Sequence, residues 1–292
     1  MNTQKLGISV GNYFQQPPEE MVRVIKDIGF HAVSPIWDRD GIWKETIHNA
    51  RKNGLIVQSL HAPYKKSMHM WNQNSDLAAA ALAEFSESMR ECAALSVPIL
   101  VVHGWGGLDF ASGHISIGLR NFSILAEQAA KLDIQIAFEN LEGEPFLYAL
   151  MDHFQDAAHI GFCWDSGHEH CYNHDRNLLA DFGSRLLVTH LNDNPGIQDP
   201  NGMISPKDDL HYLPLDGTVN WEEKTLQLQK ARKQDILNFE VKQFSKVYQP
   251  QNKTYACWTF PEFLTEAYQR AKIIANMYMQ RRDILCAADQ YS

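Results

Sequence analysis

The sequence predicts an α/β protein folded as a single (β/α)8 TIM barrel that covers residues 1–292. Short apolar segments alternate with amphipathic segments of helical period, and this unit repeats eight times without a long linker. Eight such units in series favour a closed barrel over an open, doubly wound sheet. The first strand is followed by Gly11-Asn12-Tyr13 instead of the glycine-rich turn of dinucleotide-binding folds. We therefore expect one barrel domain and no nucleotide cofactor.

Each predicted strand is a short apolar run bounded by polar or turn-forming residues. The third run leads into His61-Ala62-Pro63-Tyr64, whose proline ends a strand. A long polar segment, 191–220, separates the seventh strand from its helix. In chain order the predicted strands are 5–10, 31–36, 55–60, 97–102, 134–138, 160–164, 185–189 and 236–239.

The predicted helices are placed by the residues that start and stop them. Pro17 and Pro18 open the first helix, since proline fits a first turn, and Gly29 ends it. Ser75 or Asp76 is expected to cap the long third helix. The last helix could form an interface between copies, so a homo-oligomer stays open. The other helices are expected to begin near Asp40, Ile115, Pro145, Arg176, Trp221 and Pro261.

The composition is that of a globular protein and argues against several partners. Hydrophobic residues make up 45% of the chain, charged residues 21%, and the formal charge is −9 at pH 7. This acidic balance disfavours nucleic acid and anionic membranes. No apolar run is long enough to span a bilayer, and the N-terminus lacks a signal-peptide core. The five cysteines form no CxxC pair, so we expect a cytoplasmic protein without disulfides.

Residues that commonly bind metals stand at the ends of most predicted strands. In a barrel these carboxyl ends form the active-site face, so the side chains there converge. Strand six leads into Asp165, and a turn carrying His168 follows. Asp209-Leu210-His211 adds two more candidate ligands, because residues i and i+2 of an extended segment point the same way. The full set is His61, His103, Glu139, Asp165, His168, His190, Asp209, His211 and Glu240.

This set of side chains predicts a divalent metal site. One histidine at a strand end is usually structural, but burying so many titratable groups on one face without a cation would be costly. Carboxylate oxygens mixed with imidazole nitrogens suit Zn, Mn or Fe(II) better than Ca or Mg.

Four segments resemble those of the xylose isomerase-like TIM barrel superfamily, and the likeness extends over nearly the whole chain. That superfamily contains sugar-phosphate isomerases and epimerases, inosose dehydratases and DNA-repair enzymes of the endonuclease IV type. The segments are Phe138-Glu139-Asn140, Trp164-Asp165-Ser166-Gly167-His168, His190-Leu191-Asn192-Asp193 and Asn238-Phe239-Glu240.

The resemblance to the epimerases implies that Glu139, Asp165, His190 and Glu240 hold one divalent ion. Glu139 and Glu240 would then lie on opposite faces of a bound sugar. Each would take or return a proton next to a carbonyl, through a metal-stabilised cis-enediolate. His168 would help to hold the substrate oxygens. The expected function is a metal-dependent sugar or sugar-phosphate isomerase/epimerase of carbohydrate metabolism.

The resemblance to endonuclease IV implies an alternative, a metal-dependent phosphodiesterase with three zinc ions. All nine strand-end and loop residues match that ligand set in order. His168, Asp209 and His211 are thus substrate contacts if one ion binds and ligands if more do. The loops that would form the mouth carry more acidic than basic residues. Because DNA binding depends on Lys and Arg contacts to phosphates, a small neutral or singly phosphorylated sugar fits this mouth better.

Several other residues are weaker candidates. Lys65 and Lys242 could bind a substrate phosphate, although loop lysines are usually only solvated. Trp105, flanked by glycines, could form an apolar wall of a sugar site or simply pack at the rim. Cys163 is expected to pack beneath the site as a small hydrophobe. A barrel that only binds a sugar for regulation is a third hypothesis, and the pair Glu139 and Glu240 argues against it.

Overall fold

The computed structural model of the protein describes residues 4–173, 176–244 and 254–289, without the side chains of Asn12 and of residues 281–289. Its strands lie close to the predicted positions, and five of them run one residue further towards the carboxyl end. They are β1 (Lys5–Val10), β2 (Ala32–Pro35), β3 (Ile56–Val57), β4 (Leu60–His61), β5 (Ile99–His103), β6 (Gln135–Glu139), β7 (Ile160–Asp165), β8 (Leu186–His190) and β9 (Ile236–Phe239).

All the strand pairs are parallel, and they close into a ring. One sheet has the order β3-β2-β1-β9 and the other the order β4-β5-β6-β7-β8. Single bridges from Ile36 to His61 and from Leu191 to Phe239 join the two sheets at both seams. The predicted TIM barrel is therefore confirmed.

The third predicted strand, 55–60, is divided into β3 and β4, which corrects the expectation of one continuous strand. β3 pairs with β2 and β4 pairs with β5. The chain changes sheets at Gln58 and Ser59, so these two residues fall outside both ladders. Ser59 instead hydrogen-bonds the hydroxyl of Ser34 at 3.0 Å.

Helices surround the ring, and several of their starts differ from the predicted ones by one or two residues, as at Ile42 instead of Asp40. Asn74, rather than Ser75 or Asp76, caps α3, because its side chain accepts from the N–H groups of Asp76 and Leu77. The helix expected near Arg176 begins at Leu178. The helices are α1 (Pro18–Ile28), α2 (Ile42–Lys52), α3 (Ser75–Ala94), α4 (Ile115–Lys131), α5 (Glu144–His153), α6 (Ser166–Tyr172), α7 (Leu178–Phe182), α8 (Trp221–Lys230) and α9 (Phe260–Asp289).

The turn expected after strand six is the helix α6. Asp165 ends β7 and caps α6, since its Oδ1 accepts from the N–H of His168 at 2.7 Å. The cap directs the chain into a helix at once, and it fixes His168 one turn above the strand end.

The main hydrophobic core fills the layer between the ring of strands and the helices. Inside the ring, one side is polar, where Ser9 accepts from the Asn238 amide at 2.9 Å. The other side is a small apolar cluster that includes Val101, Ala137 and Cys163. Cys163 thus packs beneath the ligand-bearing strand ends, as predicted. Among the described residues, none of the helices combines the length and apolarity needed to cross a membrane.

Candidate metal centre

The strand ends bring the predicted ligands together on one face of the barrel. His61, His103, Glu139, Asp165 and His190 are the last residues of consecutive strands β4 to β8. Parallel pairing sets His103 beside Glu139 and Asp165 beside His190. Glu240 follows directly after β9. Strand register, rather than loop conformation, therefore positions most of the candidate ligands.

The first group of ligand atoms belongs to Glu139, Asp165, His190 and Glu240. These atoms lie within 4.8 Å of one another, and all four residues are buried. His190 Nδ1 lies 3.0 Å from Glu139 Oε1 and 2.8 Å from Glu240 Oε2. Three carboxylates and one imidazole around a common point can coordinate a divalent cation.

A second group shares Glu139 with the first. The Nε2 atoms of His61 and His103 each lie 3.3 Å from Glu139 Oε2. The two imidazole nitrogens are 3.0 Å apart. Glu139 therefore presents one oxygen to each group, as a bridging carboxylate does.

A third group consists of His168, Asp209 and His211. His168 Nε2 lies 3.4 Å from Asp209 Oδ2, and His211 Nε2 lies 3.2 Å from Asp209 Oδ1. The expectation that Asp209 and His211 lie on an extended segment is wrong, because His211 has a φ of 47°. The side chains of Asp209 and His211 nevertheless converge, since His211 Nε2 approaches the Asp209 carboxylate at 3.2 Å.

Three buried carboxylate oxygens in these groups make no hydrogen bond of good geometry among the described residues, although imidazole nitrogens lie 2.8–3.3 Å from them. They are Glu240 Oε2 of the first group, Glu139 Oε2, which faces the second group, and Asp209 Oδ1 of the third group. An unpaired buried oxygen of this kind costs free energy, and a cation between the ligands would offset that cost. The residues present therefore fit a divalent metal ion.

Hydrogen bonds to the backbone orient the imidazoles for coordination. The Nδ1 atoms of His61 and His211 lie 2.7 Å and 2.9 Å from the carbonyls of Ala62 and Glu240. His168 Nδ1 lies 3.0 Å from the carbonyl of Asn140. With Nδ1 carrying the proton, each ring presents the lone pair of Nε2 to its group.

Buried asparagines support the carboxylate of Asp165. The Asn192 amide donates to Asp165 Oδ2 at 2.8 Å. Asn140 accepts from the Asp165 N–H at 2.8 Å and donates to its carbonyl at 2.9 Å. The motifs containing these asparagines were visible in the sequence, but their supporting role becomes clear only from the packing.

The centre contains buried carboxylates and imidazoles, and each group shifts the pKa values of its neighbours. Burial would raise the pKa of Glu139, but His190 and then His103 outweigh it and hold that pKa well below its usual range. Burial raises the pKa of Asp165 to about 6, against the opposing effects of His168 and His211. Burial lowers the pKa of His103 despite Glu139. Glu139 is thus held ionised next to imidazole nitrogens, as coordination requires, whereas burial opposes ionisation of Asp165.

The weaker candidates lie in different environments. Trp105 is only 2% exposed, and its ring stacks on Phe146 at 3.8 Å. This burial favours packing at the rim and argues against a wall that contacts a ligand. Lys65 is exposed, and Lys242 is half-buried beside the third group, with its N–H donating to the His211 carbonyl at 3.0 Å.

Two features near the centre were missed by the sequence-based predictions. Tyr13, in the short helical turn after β1, has a buried hydroxyl within electrostatic reach of Glu240 and His190. Glu169 of α6 is fully buried and pairs with Lys224 of α8. The two residues of this pair are far apart in sequence, and no local pattern links them.

Known proteins resemble this chain at the level of family and fold. The protein y4fM of Sinorhizobium fredii (strain NBRC 101917 / NGR234), itself uncharacterized, is 32% identical over 127 residues, which are 41% of this chain and 38% of y4fM. The structure of the IOLI protein with a binding zinc atom has a TM-score of 0.73 at 14% identity, covering 94% of this chain and 99% of that one. The structure of L-ribulose 3-epimerase has a TM-score of 0.71 at 12% identity, covering 97% and 98%.

At such identities the two solved structures agree with this chain in fold alone. The family assignment comes from the sequence profile described as xylose isomerase-like TIM barrel, which matches residues 22–256. This range includes every candidate ligand from His61 to Glu240. The chain therefore belongs to the xylose isomerase-like TIM barrel family.

Proposed function

We propose that the protein is a metal-dependent sugar or sugar-phosphate isomerase/epimerase. The observation that carries the proposal is the arrangement of Glu139 and Glu240 on either side of His190. Their oxygens lie 3.0 Å and 2.8 Å from the same imidazole nitrogen, so both carboxylates reach one point from different strands. Two opposed carboxylates can remove a proton from one face of a carbon and return it to the other.

The residues of the first group can perform this chemistry at a carbon next to a carbonyl. A divalent ion held by Glu139, Asp165, His190 and Glu240 would act as a Lewis acid on the carbonyl and neighbouring hydroxyl oxygens. Glu139 and Glu240 are the candidate bases, because their pKa values are held low and they are ionised at neutral pH. His168, whose Nδ1 lies 3.4 Å from Glu139 Oε1, would help to hold a substrate oxygen.

The charges around the mouth favour a small substrate. Arg39 and Lys66, which lie on mouth loops, both contact Glu84 of α3, at 2.8 Å and 3.4 Å. These two cations therefore share one carboxylate, which offsets one of their two positive charges. With a formal charge of −9 over the chain, the protein offers little attraction to a polyanion. A neutral sugar, or one whose single phosphate meets Lys65 or Lys242, is the substrate class that this mouth supports.

Epimerisation of ketoses by the zinc- or manganese-loaded protein tests the proposal. We expect Glu139→Gln and Glu240→Gln each to lower turnover by at least about a hundredfold, because each removes a base. Glu144→Gln is the matched control, since Glu144 of α5 pairs with Arg176 at 2.9 Å and belongs to none of the ligand groups. Retained turnover in both glutamine variants would rule out the mechanism.

A second function, phosphodiester hydrolysis, is favoured by one specific observation. The His61–His103 and His168–Asp209–His211 groups adjoin the first group, and Glu139 bridges two of the three. Adjacent metal ions of this kind can stabilise both the attacking and leaving oxygens of a phosphoester. Cleavage of a duplex with an abasic site, or of bis(p-nitrophenyl) phosphate, tests this alternative. Cleavage without ketose turnover would select it over epimerisation.

A further inference from the structure

The ligand ring is incomplete on the side of the first two strands. Gly11 follows β1 and Ile36 follows β2 at the level where the other strands carry ligands. Neither residue can bind a metal, so this side of the centre is the natural place for a bound substrate. Tyr13 lies on this side, in the turn Asn12–Phe14 directly after Gly11.

Gly11 allows the ring of Tyr13 to fold over the end of β1. A Cβ at position 11 would lie 2.9 Å from Tyr13 Cε1 and 3.3 Å from Ile36 Cδ1. Only glycine leaves room for this close approach. The neighbouring Phe14 is fully buried against Phe260, with ring centroids 5.2 Å apart, and its N–H donates to the Gly11 carbonyl at 3.2 Å. The turn is therefore anchored, and the ring of Tyr13 is held in place.

The hydroxyl of Tyr13 is buried and has no hydrogen-bond partner among the described residues. It lies within electrostatic reach of the centre, since burial and then Glu240 raise its pKa well above the usual value. The phenol is thus a neutral donor at neutral pH. A buried donor left unpaired costs free energy, and a bound ligand that accepts its hydrogen bond would remove that cost.

We infer that the Tyr13 hydroxyl donates a hydrogen bond to a substrate oxygen at the metal centre, on the side where β1 and β2 supply no ligand. This inference rests on the proposed function and adds a substrate-binding residue to it. A polyhydroxylated ligand such as a ketose offers oxygens on successive carbons, so one can meet the metal ligands while another accepts from Tyr13. The bond stabilises negative charge that develops on that oxygen when the adjacent carbon loses its proton.

The test compares Tyr13→Phe with the wild type, both loaded with zinc, using D-tagatose and D-fructose as probes. We expect kcat for epimerisation to fall about ten- to a hundredfold, with KM changing less than about threefold. Calorimetry of ketose binding gives a second readout. Zinc affinity should stay at the wild-type value, because Tyr13 supplies no ligand. The thermal midpoint should not fall, because phenylalanine keeps the ring and removes the unpaired hydroxyl.

Two further variants complete the test, one that displaces the Tyr13 ring and one that serves as a control. Gly11→Ala displaces the Tyr13 ring through the new Cβ, and it should reproduce the loss of turnover even if Tyr13→Phe folds poorly. Tyr148→Phe removes a hydroxyl that bonds Asp181 on the outer surface, and it should leave turnover unchanged. Wild-type kinetics and ketose affinity in Tyr13→Phe would overturn this inference alone. A wild type that neither binds nor epimerises the ketoses would overturn the proposed function as well.

Discussion

His190 Nδ1 lies 2.8 Å from Glu240 Oε2, so the imidazole and the carboxylate face the same point at the centre of the first ligand group. Burial lowers the pKa of His190, but Cys163, Glu139 and Glu240 raise it well above the usual value. In the metal-free protein this nitrogen therefore holds a proton that a bound cation must displace.

Zinc affinity should consequently increase with pH. Because the folded pKa of His190 is raised, protons compete with the metal throughout the neutral range and compete less as pH rises towards that pKa. We expect the apparent affinity to rise about tenfold per pH unit for each proton displaced. Competition titrations with a chromophoric chelator between about pH 6 and 8 measure this slope. An affinity independent of pH would contradict the assignment of His190 as a ligand.

The first group should bind the tightest ion, since it has four buried ligands and the other groups have three. His190→Ala is expected to lower the affinity for the first zinc ion by at least about a hundredfold. His211→Ala serves as the matched control, and it should change that first binding constant by less than about threefold. Metal analysis of the dialysed variants gives the order of filling. The opposite order would place the principal ion in the third group.

Asn192 should affect the zinc affinity of the first group without contacting the ion. Its amide donates to Asp165 Oδ2 at 2.8 Å and fixes the carboxylate that faces the first group. Asn192→Ala is expected to lower zinc affinity about ten- to a hundredfold, as removal of outer hydrogen-bond partners commonly does. Asn201→Ala, in an exposed loop, is the control. Equal affinities in both variants would show that Asp165 needs no such support.

The pair of Glu169 and Lys224 should stabilise the half of the barrel that carries His168. Glu169 also accepts from Trp164 Nε1 at 3.0 Å and from the Leu178 N–H at 3.1 Å, so it joins α6, α7 and β7. Lys224→Met leaves this carboxylate buried without its cation, at a cost of roughly 3–5 kcal/mol in the free energy of unfolding.

Urea unfolding of Lys224→Met measures that loss. Lys230→Met is the control, because Lys230 is exposed on the same helix and should change the free energy of unfolding by less than about 0.5 kcal/mol. The double variant Glu169→Gln, Lys224→Met should recover part of the stability, since it removes the unpaired charge. If Lys224→Met were as stable as the wild type, the buried carboxylate of Glu169 would not depend on Lys224 for its stability.

Much of the barrel and its centre could be predicted because both follow from local patterns. The strands are short apolar runs, and His61, His103, Glu139, Asp165 and His190 stand where those runs end. Strand register then brings them together whatever the loops do. The sequence therefore contained the ligand set, and parallel pairing supplied the geometry.

The features that were missed depend on contacts between distant segments. The division of the third strand at Gln58 and Ser59 follows from the strands on either side of it. The helix α6 follows from a cap supplied by Asp165, which also serves as a candidate ligand. The ring of Tyr13 packs against Gly11 because position 11 lacks a side chain, and no periodicity marks such a close approach.

The most direct test of the proposed function is exchange of the substrate proton with solvent. The metal-loaded protein is incubated in D2O with a panel of ketoses, and deuterium on the carbon next to the carbonyl is followed by NMR. We expect deuterium incorporation together with epimerisation, and loss of both in Glu139→Gln and Glu240→Gln. Cleavage of bis(p-nitrophenyl) phosphate by a protein that exchanges no ketose proton would contradict it.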